Sequence, residues 1–175
     1  MNFRTLRADE IEVRISMVRK NGVQLLLYKD ARCDMNILDE TVGASNWQRT
    51  HSRDNRNCTV SIWDDEKSQW IHKEDTGTES FTESEKGLAS DSFKRACVNW
   101  GIGRELYSAP FIWISPDKCN IEAKNDGKAY FCRDRFRVEQ IIYDDNKRIV
   151  ALSIRNDSKK CRCFCEDYRK NTKAA

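Results

Sequence analysis

Residues 85–101 read Glu85-Lys86-Gly87-Leu88-Ala89-Ser90-Asp91-Ser92-Phe93-Lys94-Arg95-Ala96-Cys97-Val98-Asn99-Trp100-Gly101, and the spacing of their apolar residues decides the fold class. Leu88, Ala89, Phe93, Ala96, Cys97 and Trp100 recur at helical period, so the stretch predicts an amphipathic helix with one buried face. Thr82 and Glu85 stand at capping-box spacing, and Gly101 supplies the stop. Lys94 and Arg95 fall off the apolar stripe, near opposite edges of the polar face. A helix that buries one face needs a partner layer, and the flanking sequence offers strands.

Upstream, Trp70 to Glu74 reads as extended after the polar turn Asp64-Asp65-Glu66-Lys67. Cys58, Val60 and Ile62 alternate with Thr59, Ser61 and Trp63, and Trp47 to Ser52 is a further extended segment. Asp30 caps a helix through Val42, with Met35, Leu38 and Val42 on one face and Gly43 closing it. Before that, Ile11, Val13, Ile15 and Met17 alternate with Glu12, Arg14 and Ser16. The turn Lys20-Asn21-Gly22 returns the chain along Val23 to Tyr28 as a hairpin, because Asn-Gly supplies the positive φ that tight turns demand. After Pro110 and Pro116 the character changes. Phe136 to Tyr143 and Arg148 to Arg155 predict strands around Asp144-Asp145-Asn146, and Cys161, Cys163 and Cys165 alternate along a third. The order β-β-α-β-β-β-α, followed by a β-rich extension, predicts an α+β fold.

Composition narrows the classes. Of 175 residues, 39% are hydrophobic, and five Trp, five Tyr and seven Phe are more than a disordered chain carries. The net charge of +3 does not announce a polyanion partner, but its distribution is uneven. From Ser158 onward Lys159, Lys160, Arg162, Arg169, Lys170 and Lys173 oppose Glu166 and Asp167, a net +4 that leaves −1 for the rest. Such a tail anchors polyanions or merely solubilises an end, and both readings stay open. The charged stretch Met1 to Ile11 is no secretory signal, and the eight cysteines sit within apolar patterns, which predicts reduced thiols in the cytoplasm. No apolar run approaches the roughly 18 residues of a membrane span.

Several chemistries lack their signatures. There is no Gly-x-x-x-x-Gly-Lys-Ser/Thr loop to cradle ATP, and Gly101-Ile102-Gly103 is too short for a dinucleotide fingerprint. Cys119, Cys132, Cys161, Cys163 and Cys165 lack paired Cys-x-x-Cys spacing, so no metal site is expected, and His51 and His72 stand isolated. Asp64, Asp65, Glu74 and Asp75 with Lys73 keep a metal-dependent nuclease in view, because clustered carboxylates bind Mg²⁺. Trp47, Trp63, Trp70 and Trp100 occupy apolar-pattern positions and are read as core packing rather than base-stacking groups, while Tyr107 fits either role.

The segment 85–107, ending in Gly101-Ile102-Gly103-Arg104-Glu105-Leu106-Tyr107, resembles the signature helix of single-strand annealing proteins in the Rad-fifty-two and DdrA group, which includes many phage recombinases. Tyr28-Lys29-Asp30-Ala31-Arg32, the helix ending at Gly43 with Asn46-Trp47-Gln48, and Lys73-Glu74-Asp75-Thr76-Gly77 resemble the same group in the same order. The resemblance covers about residues 6–114 and implies an annealing core at 1–114 and a β-rich extension with a basic tail at 115–175. It implies an antiparallel β-sheet packed on the long helix, subunits side by side in a ring or arc, and single-stranded DNA in a basic groove. By motif position Arg32, Lys94 and Arg95 would hold the DNA backbone, with Arg104 just past the helix as a further DNA-binding candidate. Ala44 and Ser45 stand where some relatives carry an aromatic residue after the glycine equivalent to Gly43. The implied activity is ATP-independent annealing of complementary strands in recombination and repair, with no catalysis and no cofactor. The alternatives are a single-strand coating protein and the nuclease. Implied partners are single-stranded DNA, further copies of the chain, and a single-strand-binding protein or exonuclease, in the cytoplasm of a bacterial host.

Overall fold

A computed structural model describes residues 1–78, 84–124 and 129–169. Its elements are β1 (Glu12–Arg19), β2 (Gly22–Tyr28), α1 (Ala31–Val42), β3 (Trp47–Ser52), β4 (Asn57–Asp64), β5 (Gln69–Thr76), α2 (Ser84–Trp100), β6 (Ile112–Ile114), β7 (Glu122–Ala123), β8 (Tyr130–Phe131), β9 (Phe136–Tyr143), β10 (Ile149–Asn156) and β11 (Cys161–Asp167). The expected α+β class is borne out, with antiparallel sheets and two helices. The strands form three sheets: six strands in the order β11-β10-β9-β1-β2-β6, three in the order β3-β4-β5, and the pair β7-β8. The N-terminal hairpin therefore shares no sheet with β3–β5. Its neighbours come from the far end of the chain, where Glu12 of β1 faces Arg137 of β9.

Two compact units result. One comprises Met1–Thr5 and Lys29–Arg104, the other Leu6–Tyr28 and Glu105–Ala175. In the first, the β3-β4-β5 meander carries α2. Cys58, Val60 and Ile62 on β4 are buried, as are Leu88, Phe93, Ala96 and Cys97 on α2, which bears out most of the apolar stripe. The Trp47 ring stacks on Phe93 at 6.1 Å, and the Arg49 guanidinium lies over the same ring at 4.6 Å. At the other end of the helix, Trp100 Nε1 donates to the Val60 carbonyl at 3.1 Å and Lys73 Nζ to the Asn99 carbonyl at 2.9 Å. The Thr82–Glu85 capping box and the tail from Lys170 onward lie outside the described residues.

Gly77 explains why the segment after β5 must be small. A Cβ there would lie 2.7 Å from the Ser92 nitrogen and 3.0 Å from the Leu88 carbonyl oxygen, both backbone atoms of α2. Backbone cannot yield as a flexible side chain can. Gly77→Ala is expected to destabilise the protein by about 1–3 kcal/mol, the usual cost of overpacking, as measured by urea denaturation.

In the second unit, the six-stranded sheet buries one face, with Val23, Leu25, Ile112, Ile114, Val138, Leu152, Ile154 and Phe164 inside. Buried Glu105 is satisfied by the Leu6 backbone N–H at 2.7 Å, and Tyr143 donates to the Leu6 carbonyl at 2.9 Å. The eight cysteines are free thiols, five of them buried. Burial pushes the thiols of Cys58 and Cys119 up to about 11 and that of Cys163 up to about 12, so they stay protonated and unreactive.

Candidate nucleic-acid interface

The entry to α1 sets the first part of the site. Asp30 is its N-cap, accepting from the Cys33 N–H at 2.8 Å. Lys29 just before it and Asp34 one turn into the helix form an ion pair, with side chains 6% and 0% exposed. Lys29 Nζ also lies 3.5 Å from the Lys94 carbonyl of α2. This buried cation therefore joins the start of α1 to the middle of α2. Burial dominates Asp34 and raises its carboxyl to about 6, although Lys29 and Lys94 oppose the shift. Its Oδ2 is buried without a hydrogen-bond partner among the described residues.

The four cations singled out in the sequence sit differently around this frame. Arg32, on the first turn of α1, is 84% exposed and touches Asp30 only loosely, at 3.3 Å. Lys94 is half-buried and has no carboxylate within ion-pair distance among the described residues. The two belong to elements that the Lys29–Asp34 pair ties together. Arg95, one step around α2, turns toward β5 and pairs with Asp75 at 3.3 Å. Asn99 Nδ2 also donates to Asp75, at 3.3 Å. Such a half-exposed pair contributes little to stability and yields readily to a stronger anion. Arg104 spends Nε and Nη2 on the Val98 and Asn99 carbonyls at 2.8–3.1 Å. Both carbonyls already accept a bond, Val98 from the Gly101 N–H and Asn99 from Lys73 Nζ, each at 2.9 Å. Arg104 thus adds further donors at the carbonyl end of α2, a role its position just past Trp100 could have suggested.

The tryptophans depart from the expectation of core packing. All four are half-buried. Trp63 and Trp70, opposite each other on β4 and β5, form an edge-to-face pair at 5.6 Å. Trp47 directs its indole N–H to Asp39 at 2.6 Å, and Lys73 Nζ sits 4.5 Å over the Trp100 ring. Each ring has a polar tip that needs a partner, which holds it at the margin of the core. Tyr107 is 74% exposed.

The carboxylates that kept a nuclease in view do not converge. Asp64 and Asp65 sit at the turn of the β4–β5 hairpin, whereas Glu74 faces Thr59 and Asp75 faces Cys58. Five residues of strand separate Asp64 from Thr59, about 17 Å at the usual rise. Glu74 is engaged by Asn57 and Thr59, and Asp75 by Arg95 and Asn99. Among the described residues no group of three or more His, Cys, Asp or Glu side chains is placed to hold a metal ion. No described helix is long and apolar enough to cross a membrane.

In this α+β unit α2 carries Lys94 and Arg95 off its buried stripe and packs on the antiparallel β3-β4-β5 sheet. Residues 57–125 match the family model described as Rad52/22 family double-strand break repair protein. That bears out the resemblance to single-strand annealing proteins over β4, β5, α2 and the segment beyond, and supports a role in DNA binding, strand annealing, recombination and repair. Lys94, Arg95 and Arg104 lie inside the matched span and Arg32 outside it, and the span runs past residue 114 into the extension. The comparisons with curated proteins and with solved structures give no match.

Proposed function

We propose that the protein binds single-stranded DNA and anneals complementary strands without ATP, in phage-type recombination within a bacterial cytoplasm. The observation that carries this reading is the family match centred on α2, whose Lys94 and Arg95 stand clear of the buried stripe. Arg32 and Lys94 would hold the DNA backbone directly. Arg95 would exchange Asp75 for a phosphate, and Arg104 would offer its remaining nitrogen, Nη1. Annealing then needs no chemistry, because neutralising the phosphates removes the repulsion between strands and base stacking makes pairing favourable. Copies of the chain arranged in a ring or arc add their contacts along one strand. A single-strand-binding protein or exonuclease would deliver the DNA.

Lys94→Ala/Arg95→Ala tests the assignment. The folded double variant is expected to lose single-strand affinity, and the slope of log K against log salt should fall by about 1.4, or about 0.7 per phosphate contact. Native circular dichroism with unchanged affinity and slope would remove both residues from the interface. Arg32→Ala is expected to lower both affinity and annealing rate. If it anneals like the wild type across a salt series, Arg32 is only a surface residue. Light scattering alongside annealing at matched concentrations tests the oligomer, and full annealing by a demonstrable monomer would favour a simple coating protein.

A further inference from the structure

The six-stranded sheet has a second face, opposite its core, and the strand register composes it in an unusual way. Tyr28 faces Glu12, Glu12 faces Arg137, Arg137 faces Arg155, and Arg155 faces Arg162. Residues directly opposite each other share a face, so β2, β1, β9, β10 and β11 contribute one continuous row. Three of its members are arginines on adjacent strands, about 4.8 Å apart from strand to strand. Like charges in that arrangement repel. They are held by Glu139, 2.6 Å from Arg162 and 3.8 Å from Arg155, and by Asp157, 2.9 Å from Arg137 and 3.9 Å from Arg155.

The other half of this face is apolar. Met17, Leu26, Tyr28 and Phe111 are four of the six large hydrophobic residues exposed among the described residues, and Phe111 is 67% exposed. Gln24 and Trp113 are opposite each other, which puts Trp113 on this side. Phe111 stacks on Trp113 at 6.1 Å with 11° between the rings. Trp113 in turn lies so close over Gly22 that a Cβ there would meet its ring at 2.4 Å. Opposite Leu26 is Arg14, whose guanidinium sits 5.0 Å over the Tyr28 ring. Scattered exposed apolar residues need no explanation, but a cluster on one face marks an interaction surface.

Charge decides what fits it. Arg14, Arg137, Arg155 and Arg162 meet three carboxylates, Glu12 engaged by one of these arginines and Glu139 and Asp157 by two each. Arg19 and Lys20 at the hairpin end add two cations with no carboxylate in ion-pair range among the described residues. A partner rich in both negative charge and flat apolar rings is complementary to such a face. We propose that this sheet face is a further contact surface for single-stranded nucleic acid, with phosphates on the Arg137–Arg155–Arg162 row and bases stacked on Tyr28 and the Phe111–Trp113 pair. The proposal rests on the single-strand-binding reading but uses none of the α2 cations. Aromatic platforms beside arginines bind single strands with little sequence preference, because every base has a π-face.

The test uses the full chain and a fluorescein-labelled oligothymidine across a salt series. Arg137→Gln/Arg162→Gln is expected to keep native circular dichroism and lower the salt slope by about 1.4, from two lost phosphate contacts. Tyr28→Ala/Phe111→Ala is expected to weaken binding about fivefold or more at fixed salt, the low end for one base–aromatic stack. Photo-crosslinking with iododeoxyuridine should map to Tyr28, Phe111 or Trp113. The proposal fails if both folded variants bind like the wild type while Lys94→Ala/Arg95→Ala does not, an outcome that spares the α2 site. It also fails if the aromatic variant changes the oligomer mass but leaves affinity and slope intact, which would make the face a contact between copies. A wild-type protein that does not bind the oligonucleotide defeats both readings together.

Discussion

Replacing Lys29 with Met is expected to destabilise the protein by about 3–5 kcal/mol, the usual result of removing one partner from a buried ion pair. Asp34 is fully buried, with Oδ1 paired to Lys29 and Oδ2 unpartnered among the described residues. Without Lys29, the carboxylate would keep its desolvation cost and lose its counter-ion. Lys29→Met/Asp34→Leu should recover most of the loss, because an apolar pair removes both charges at once. Urea denaturation of the two variants measures the difference. Failure of the double variant to recover would show that packing, rather than charge, fixes this junction.

The same carboxyl sets a pH dependence. Asp34 is raised from an ordinary 3.8 to about 6, so the folded state holds its proton more tightly than the unfolded chain. The stability it contributes is fully present below about 3.8 and is lost as pH rises through about 6. Asp30 and Asp134, both lowered, act in the opposite sense, contributing stability that is lost as pH falls. The quantity to measure is therefore wild type minus Asp34→Asn. That difference should decline between pH 4 and 6 and be flat above, and a flat curve throughout would place Asp34 at its ordinary value.

Phe93→Ala is the second large effect, at about 3–5 kcal/mol. Phe93 is fully buried, with Trp47 stacked on it and the Arg49 guanidinium over its ring. Truncation leaves a cavity and strips two aligned partners of their aromatic surface. Phe93 also seats α2 on its sheet one residue from Lys94. Phe93→Leu, which refills much of the cavity, should restore stability more than single-strand affinity, since only the native ring supports Trp47 and Arg49 as they stand. Equal recovery of both would show that the ring contacts to Trp47 and Arg49 add nothing to single-strand binding beyond the packing of α2.

Local periodicity made much of this molecule legible. The apolar stripe of α2, the Asp30 cap and Gly43 stop of α1, and the Asn-Gly hairpin all act within a few residues, where sequence spacing equals spatial spacing. The cations that lie off the α2 stripe were legible for the same reason. Other features had no local signal. β6 is three residues long, too short to display an alternation. Arg104 read as a DNA-binding candidate, and although its place just past α2 hinted at the helix carbonyls, which of them it reaches depends on how the chain turns after Gly101.

By itself, then, the sequence determined the helices, most of the strands and the exposed side of α2, because those follow from which residues recur on one face. Only the tertiary structure decided that the N-terminal hairpin joins β9–β11 rather than β3–β5, since strand pairing is chosen by long-range competition among apolar faces. It alone decided that Lys29 and Asp34 are buried as a pair. Burial of a charge depends on what packs around it, and α2 lies some sixty residues further along the chain. It alone aligned Arg137, Arg155 and Arg162, because register across strands fixes which residues stand opposite each other, and no spacing along a single strand records it.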